Sequence, residues 1–327
     1  MEAENPGASV TRPPLIEVEN LTRNYAEHIA VNKVSFTLGR GEVLGFLGPN
    51  GAGKSTTMQM ITGCLAPTSG QVTVDGHDLI DYPIEAKRGI GYLPENPPVY
   101  REMTVDEYLM YCARLHRIAG PELKDARDAA KEHCALQEVG RRLIGNLSKG
   151  FQQRVGIAQA IIHQPPVVIL DEPTIGLDPI QIREIRALIK SLGQDRSVIL
   201  STHILPEVQA TCDRVQIIRR GELIYNAPID ELNRHGQRGQ LTIALRNPPT
   251  LQDLERITGV SSAEILGPQR FRIHGDQQVA VQLARLSAEH GWDLFELVPD
   301  NSSLEDIFVE LTTSEPVTGA GNGEQAA

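Results

Sequence analysis

The chain has 327 residues, of which 40% are hydrophobic, 22% charged and 4% aromatic. This length fits two domains, and the apolar fraction is ordinary for a globular protein, which excludes wholesale disorder. No apolar run reaches the roughly 18–20 residues of a membrane-spanning helix, and the N-terminus lacks the basic start and apolar core of a secretory signal. The four cysteines are scattered without C-x-x-C spacing and are predicted to be reduced and buried; they are Cys64, Cys112, Cys134 and Cys212.

The formal net charge is −11, and it is unevenly distributed along the chain. Residues 227–327 carry 15 acidic and 7 basic groups, whereas the rest of the chain is nearly balanced. An acidic balance opposes non-specific attraction to nucleic acid or anionic lipid, so we expect no nucleic-acid partner. The compositional change is the first sign of a domain boundary near residue 227.

In chain order, the sequence begins and ends with segments rich in Gly, Pro, Ala, Ser and Glu, residues 1–14 and 314–327, which are predicted to be flexible tails. Between them, apolar runs alternate with helical patterns over residues 15–235, which predicts an α/β layered domain. The predicted strands are Leu15–Asn20, Lys33–Leu38, Glu42–Leu47, Gln71–Val74, Ile90–Leu93, Val167–Leu170, Val198–Ser201 and Val215–Ile218. The exception is a stretch of about residues 100–163, whose helical periodicity predicts a helical insert.

The last hundred residues predict a different architecture over residues 236–313, a small α+β domain of the ferredoxin-like type with the order β-α-β-β-α-β. The predicted strands are Gln240–Leu245, Ser262–Leu266, Arg270–His274 and Trp292–Val298, with a helix near Leu251–Ile257 and another that Asp276 caps. A closing helix is predicted from Leu304, Ile307, Phe308 and Leu311, with Ser302 and Glu305 as its capping box.

A glycine-rich loop between an apolar strand and a helix carries the strongest chemical signal. The segment Gly48-Pro49-Asn50-Gly51-Ala52-Gly53-Lys54-Ser55-Thr56 matches the pattern G-x-x-x-x-G-K-[ST]. Glycines let the backbone curl so that its N–H groups point at phosphate oxygens, and the helix N-terminus favours negative charge. We expect Lys54 to reach the β and γ phosphates of a nucleotide and the Ser55 hydroxyl to ligate Mg²⁺.

A second apolar run, Val167–Leu170, ends in the two carboxylates Asp171 and Glu172. Ligands bind at the carboxyl ends of strands in open α/β sheets, where these side chains are expected. Asp171 is predicted to hold Mg²⁺ through water, and Glu172 to act as general base toward an attacking water.

Three further motifs follow in order: residues 147–154 (LSKGFQQR), residues 176–179 (GLDP) and residues 201–203 (STH). With the phosphate loop and the carboxylate strand, they resemble the ATP-binding subunits of ABC transporters over roughly residues 15–235. The resemblance implies a P-loop NTPase domain of the ABC type, with a mixed sheet and a helical insert, that binds ATP and Mg²⁺.

The resemblance also implies roles for further residues. Tyr25 lies where the family has an aromatic residue that stacks on adenine. Ser148 and Gly150 match the motif that binds the γ-phosphate of ATP held by the opposite subunit, so a second ATP-binding subunit, in a head-to-tail homodimer, is expected. Asp178 matches the loop that crosses this interface, and His203 matches the histidine that contacts the γ-phosphate.

Two departures from the family pattern stand out. The usual LSGGQ is LSKGF here, so Lys149 could add positive charge near phosphate or point to solvent, and Phe151 replaces a polar side chain. Glu95 stands where the family commonly has a Gln that senses Mg²⁺, and its carboxylate still offers the metal an oxygen. Three segments narrow the resemblance: residues 94–98 (PENPP), 147–151 (LSKGF) and 304–312 (LEDIFVELT). They resemble the corresponding segments in ATP-binding subunits of type-2 exporters of the gliding-associated or multidrug type.

The resemblance thus implies an ATP hydrolase that powers a separate integral-membrane permease, an exporter. This ATP-binding subunit is expected to be cytoplasmic and peripheral at the cytoplasmic face of the cell inner membrane. One alternative is a soluble ABC-type ATPase that acts on a ribosomal or nucleic-acid machine, but the chain holds one motif set and no long coiled coil. Another is an inactive regulator, against which Glu172 and His203 argue. The C-terminal domain could stabilise the dimer, bind a regulator, dock on the permease or simply pack.

Overall fold

The computed structural model describes residues 13–231, 240–275 and 279–300. The chain divides into two compact units, Met1–Ile229 and Asp230–Ala327, a few residues before the limit at 235 that the sequence suggests. The predicted closing helix with its capping box, the Asp276 cap, and nearly all of the two predicted tails lie outside the described residues.

The first unit contains two sheets. Its strands are β1 (Ile16–Tyr25), β2 (His28–Leu38), β3 (Val43–Leu47), β4 (Ser69–Val74), β5 (His77–Asp78), β6 (Ile90–Leu93), β7 (Val167–Asp171), β8 (Ser197–Thr202), β9 (Arg214–Arg219) and β10 (Glu222–Pro228). An antiparallel sheet has the order β2-β1-β4-β5, and a mixed sheet has the order β10-β9-β3-β8-β7-β6. In the mixed sheet only β10 runs antiparallel to its neighbour.

Every residue of β3 and β7 is buried, as their continuous apolar sequences predict for strands covered on both faces. The hairpin between β9 and β10 turns at Arg220 and Gly221, whose φ angles of 49° and 83° are both positive. Two positive φ angles are typical of the turn that suits the twist of a two-residue hairpin.

The helices of this unit are α1 (Lys54–Ile61), α2 (Pro83–Arg88), α3 (Val105–Leu115), α4 (Leu123–His133), α5 (Lys149–Ile161), α6 (Pro179–Asp195) and α7 (Leu205–Thr211). A core joins the two sheets, with the rings of Phe36 and Phe46 5.7 Å apart. Met58, Met60 and Ile61 of α1 are fully buried in the same core. Because burial of each such side chain contributes about 1.5–3 kcal/mol, the helix behind the glycine-rich loop is firmly anchored.

The stretch predicted to be a helical insert contains α3, α4 and α5 with short 3-10 turns between them. Thr104 and Glu107 form a capping box at the start of α3, which satisfies two backbone N–H groups. Of the four cysteines, Cys112, Cys134 and Cys212 are buried, but Cys64 is exposed. The prediction of burial is therefore wrong for Cys64, which lies in the turn just after α1 rather than on a core-facing strand or helix.

The second unit has the predicted order β-α-β-β-α-β within its described residues. Its elements are the strands β11 (Gln240–Leu245), β12 (Val260–Gly267), β13 (Arg270–Gly275) and β14 (Leu294–Asp300), with helices Leu251–Glu255 and Val279–His290. The strands form an antiparallel sheet of order β12-β13-β11-β14, and the helices pack on its apolar face. Its classification as ferredoxin-like stays a prediction. Throughout the described residues, no helix combines the length and apolar character needed to cross a membrane.

Candidate nucleotide site

The glycine-rich loop joins the carboxyl end of β3 to α1. Gly53, at the N-cap of α1, has a φ of 106°, and a Cβ there would lie 2.5 Å from the Ala30 carbonyl oxygen. A Cβ at Gly48 would lie 2.5 Å from the Ile218 carbonyl oxygen. Both positions therefore require glycine, because the loop is pressed against neighbouring backbone where a side chain has no room.

Lys54 is the first residue of α1, and its ammonium group is turned back toward the loop. Its Nζ donates to the carbonyl oxygens of Gly48 at 2.8 Å and Pro49 at 3.2 Å. The same Nζ lies 3.3 Å from Oε1 of Glu172, and each of the two side chains is only 6% exposed. A buried carboxylate needs such a counter-charge, and Lys54 provides it for Glu172.

The two carboxylates at the end of β7 have different surroundings. Asp171 accepts a hydrogen bond from the Ser201 hydroxyl at 2.7 Å, and the Ser55 hydroxyl bonds to it as well. Burial raises the pKa of Asp171, and these hydrogen bonds oppose the rise. Glu172 has a φ of 49°, in the left-handed region that costs a non-glycine residue roughly 1–2 kcal/mol.

His203 completes the cluster from the end of β8. Its Nδ1 lies 2.9 Å from Oε2 of Glu172. A carboxylate only accepts, so Nδ1 is the nitrogen that donates in a hydrogen bond to it. The Glu172 carboxylate thus lies between the ammonium group of Lys54 and the imidazole of His203, and the structure brings together these three predicted catalytic residues.

A cavity of about 250 Å³ opens beside the loop. Its lining residues are Asn50, Gly51, Gly53, Lys54, Ser55, Thr56, Glu95, Glu172 and Ile175. The remaining loop residues, Gly48, Pro49 and Ala52, contribute by backbone or lie behind it: the two carbonyls bind Lys54, and Ala52 is buried.

The predicted metal ligands present oxygen atoms only. Ser55 and Glu95 line the cavity, and Asp171 contacts Ser55 from behind. Hydroxyl and carboxylate oxygens suit Mg²⁺, which keeps several water and phosphate ligands rather than a complete protein cage. Within the described ranges no group of three or more His, Cys, Asp or Glu side chains could hold a metal ion by itself.

Four further predicted binding residues, which are not part of the loop, also lie outside that lining. Tyr25, at the end of β1, is 44% exposed, and the guanidinium group of Arg23 lies 4.7 Å from its ring centroid. Ser148 caps α5, with its Oγ accepting from the Phe151 N–H at 3.4 Å, and Gly150 follows in the first turn of that helix. Asp178 caps α6 by accepting two backbone N–H bonds at 2.9 Å each.

The starts of α5 and α6 pack against each other within this chain. A Cβ at Gly150 would lie 2.8 Å from the Gln181 side chain, and one at Gly176 would collide with the Lys149 ammonium group. The sequence left two positions open for Lys149, near phosphate or in solvent. The structure shows an exposed lysine whose amine lies against the backbone of Gly176, in the segment that leads to Asp178.

Ser201, in the STH motif of residues 201–203, has no role predicted from the sequence. Its hydroxyl binds Asp171, and its carbonyl accepts from the Glu172 N–H at 2.8 Å. The available signal was positional: Ser201 ends a buried strand immediately before His203 and so lies at the sheet edge where β7 delivers its carboxylates.

Comparisons with known proteins agree with this geometry. The family model described as ABC transporter matches residues 31–175. The bacitracin transport ATP-binding protein BcrA of Bacillus licheniformis is 35% identical over 300 residues, which are 91% of this chain and 97% of that protein. The chain belongs to the ABC transporter ATP-binding family. The linearmycin resistance ATP-binding protein LnrL of Bacillus subtilis (strain 168) is 32% identical over 91% of this chain and 98% of that protein.

A solved structure extends the agreement to the fold. The dimeric post-hydrolysis state of the ATP-binding cassette MJ0796, bound to ADP and Pi, superposes with a TM-score of 0.60 at 25% identity, covering 65% of this chain and 98% of that one. The chain is an ATP-binding subunit of an ABC transporter and an ATP hydrolase with the P-loop ABC fold. Subunits of this kind form dimers and work with a separate membrane permease.

Proposed function

We propose that this chain hydrolyses ATP at sites shared by two head-to-tail copies, and that closing and opening of the pair drives a permease that exports an antibiotic-like compound. The observation that carries the proposal is the Glu172 carboxylate, held between Lys54 and His203 beside the phosphate loop. The Glu172 carboxylate can accept a proton, and both the Lys54 ammonium group and the His203 imidazole lie within 3.3 Å of it.

In the proposed reaction, Glu172 orients the attacking water and accepts its proton on a carboxylate oxygen. The loop N–H groups and the Lys54 ammonium bind the β and γ phosphates, and phosphate oxygens compete with Glu172 for that ammonium. His203 holds the Glu172 carboxylate in place and lies beside the transferred phosphate. Ser55, Glu95 and, through water, Asp171 would hold Mg²⁺, which would neutralise charge at the phosphates.

The second copy completes each site in this proposal. Ser148 and Gly150, at the N-terminus of α5, are absent from the lining of the chain's own cavity. A helix N-terminus favours an anion, and this one is proposed to bind the γ-phosphate on the opposite copy. Asp178 is proposed to lie at the interface, and Tyr25 to stack on adenine from the end of β1.

The proposed permease and direction of transport rest on the relatives. The name of one relative refers to bacitracin transport and that of another to linearmycin resistance, and both align over nearly their full lengths. By this likeness, the present chain works at the cytoplasmic face of the membrane on a permease that removes a compound of that kind from the cell.

The test is to capture Glu172→Gln with Mg²⁺ and ATP from gently solubilised membranes of its own cell and to identify its partners by mass spectrometry. Loss of the base should trap ATP, so a multi-pass membrane protein should be recovered in near-equal amount. The control, Lys54→Ala in the Glu172→Gln background, should lose this ATP-dependent enrichment. Recovery of ribosomal or DNA-associated proteins, with no membrane protein, would contradict the proposal.

A further inference from the structure

A buried carboxylate outside the phosphate cavity connects two catalytic segments. Glu207, on α7, is 1% exposed. Its Oε1 accepts a hydrogen bond from the Thr174 hydroxyl at 2.6 Å, and its Oε2 accepts one from the Thr202 hydroxyl at 2.9 Å. One side chain therefore binds the segment that follows β7 and the end of β8 at the same time.

The two threonines are close in sequence to the groups that perform the chemistry. Thr174 lies two residues after Glu172, and Thr202 immediately precedes His203. The backbone at Thr202 is fixed on both sides, since its carbonyl accepts from the Gly48 N–H at 3.3 Å and its hydroxyl accepts from the Ile204 N–H at 3.1 Å. A shift of either threonine would change the 2.9 Å separation between Glu172 and His203.

Burial of the Glu207 carboxylate carries a desolvation cost, which the Arg186 guanidinium, 3.8 Å away, offsets only in part. The neighbouring buried residues of α7, Leu205 and Val208, are apolar and provide packing without such a cost. What a carboxylate adds is two acceptors for two different segments. The Thr211 hydroxyl, bonded at 2.6 Å to the Glu207 carbonyl, secures the helix that presents them.

The backbone conformation of Glu172 has to be held in place by its surroundings. A non-glycine residue with a φ of 49° keeps that backbone only where its surroundings over-determine it. The Glu172 N–H donates to the Ser201 carbonyl at 2.8 Å on one side, and the Thr174–Glu207 bond holds the chain two residues further on. We propose that Glu207 is a positioning residue for ATP hydrolysis, which fixes Glu172 and His203 relative to each other.

This inference rests on the proposed roles of Glu172 and His203. The first test is Glu207→Gln, which keeps the volume but replaces one acceptor oxygen by an NH₂ group, so that one of the two threonine contacts fails or must reverse. The value of kcat should fall about 10-fold, in the range by which misplacement of a catalytic group slows a reaction. The KM for ATP should stay within about twofold, since Glu207 is not among the described residues that line the cavity.

Glu42→Gln is the matched control. Glu42 is 19% exposed, pairs with Arg214 at 2.5 Å and accepts from the Gly39 N–H at 2.6 Å. It lies at the other, amino-terminal end of β3 from the phosphate loop. Its substitution removes the same charge and should lower the melting temperature without changing kcat. Equal kcat losses in the two variants would show that Glu207 acts on stability alone and would overturn the inference.

A spectroscopic measurement adds a readout that loss of stability does not produce. The ¹⁵N signals of the His203 ring should show a protonated Nδ1 in the wild type and in Glu42→Gln, and an altered Nδ1 signal in Glu207→Gln. An unchanged His203 signal together with an unchanged kcat would contradict a positioning role.

Should Glu207→Gln fail to fold, Thr202→Val and Thr202→Ser test the same link. Valine removes the donor and should lower kcat, whereas serine keeps the hydroxyl and should restore most of it; equal rates for the two variants would overturn the inference.

A further variant separates this inference from the proposed function. If His203→Ala hydrolyses ATP at the wild-type rate, the catalytic role proposed for His203 is wrong. A slow His203→Ala beside a normal Glu207→Gln would remove only the role of Glu207.

Discussion

The two units differ in where they keep their charges. In the described part of the first unit, four of the five buried charged side chains lie next to one sheet edge, namely Lys54, Asp171, Glu172 and Glu207, and the fifth, Lys131 of α4, pairs with Asp106 at 2.6 Å. In the described part of the second unit, only Ser287 is a buried polar residue. There, charges pair at the surface, as in Arg270 with Glu296 at 2.6 Å and Arg285 with Glu289 at 2.8 Å.

This difference separates groups kept for chemistry from groups that maintain a fold. An unpaired buried charge costs several kcal/mol, so a cluster of buried charges persists where function requires it. Exposed ion pairs contribute about 0–1 kcal/mol each. The described part of the four-stranded second unit thus has the properties of a packed domain with a solvated surface, and the residues that we propose for catalysis all belong to the first unit.

The comparison predicts its largest effect at Lys54. Lys54→Ala should lower ATP turnover at least about 100-fold, because the phosphates lose their cation. It should also destabilise the chain by about 2 kcal/mol, since Glu172 is left buried without its counter-charge. Lys54→Ala combined with Glu172→Gln should recover part of that stability in urea unfolding. No recovery would mean that the pair at 3.3 Å has little energetic coupling.

A smaller effect is expected at Lys149, whose amine lies on the backbone of Gly176. Lys149→Ala should slow ATP hydrolysis about threefold to tenfold, because the segment that leads to Asp178 loses the amine that lies against it. ATP binding by the isolated monomer should stay unchanged. Lys124→Ala, on the exposed face of α4, is the control. If both variants hydrolyse ATP at the wild-type rate, the lysine in place of the family's glycine has no catalytic consequence.

A third prediction concerns His163, which stacks on His116 with centroids 3.8 Å apart. Burial lowers the pKa of His163 to about 4, and the neighbouring His116 adds to the effect. In the unfolded chain the pKa of this histidine is near 6.5, so the unfolded state binds the proton more readily than the folded state. The neutral, buried His163 therefore makes its full contribution to the free energy of unfolding above pH 6.5, and this contribution is lost as the pH falls toward 4. The free energy of unfolding should fall by about 1–2 kcal/mol more between pH 7.5 and pH 5 in the wild type than in His163→Gln. Equal pH dependence in the two proteins would contradict the prediction.

The smallest effect is expected in the second unit. Arg270→Ala removes a surface ion pair whose side chains are 58% and 31% exposed. It should lower the free energy of unfolding by less than about 1 kcal/mol and leave ATP hydrolysis unchanged. A large loss of turnover would show that this unit participates in the catalytic cycle, and the contrast between the two units would then have to be abandoned.

Much of the site could be predicted because its residues lie in short motifs with a fixed backbone setting. The loop from Gly48 to Thr56 and the pair Asp171-Glu172 combine residue type with an adjacent apolar strand, so their positions at the sheet edge followed from the sequence. Most strands of both units could also be predicted from alternation and apolar runs, since periodicity reports which face is buried, but β5 and β10 were not among them.

The remaining features depend on contacts between segments distant in sequence. Glu207 reads as a solvent-facing residue of a short helix, and nothing local indicates that Thr174 and Thr202 converge on its carboxylate. The amine of Lys149 on Gly176 and the stacking of His116 on His163 likewise join separate elements. The prediction of burial fails for Cys64 because apolar neighbours in the sequence do not show where α1 ends. The helix ends at Ile61, and Cys64 lies in the exposed turn that follows.

The most direct test of the account is the behaviour of Glu172→Gln with Mg²⁺ and ATP. Turnover and molecular mass by light scattering should be measured on the same sample, with the wild type as reference. We expect Glu172→Gln to hydrolyse ATP at least about 100-fold more slowly than the wild type and to form an ATP-bound particle of twice the 35.8 kDa chain mass. A Glu172→Gln protein that hydrolyses ATP at the wild-type rate would show that Glu172 is not the base and would contradict the account.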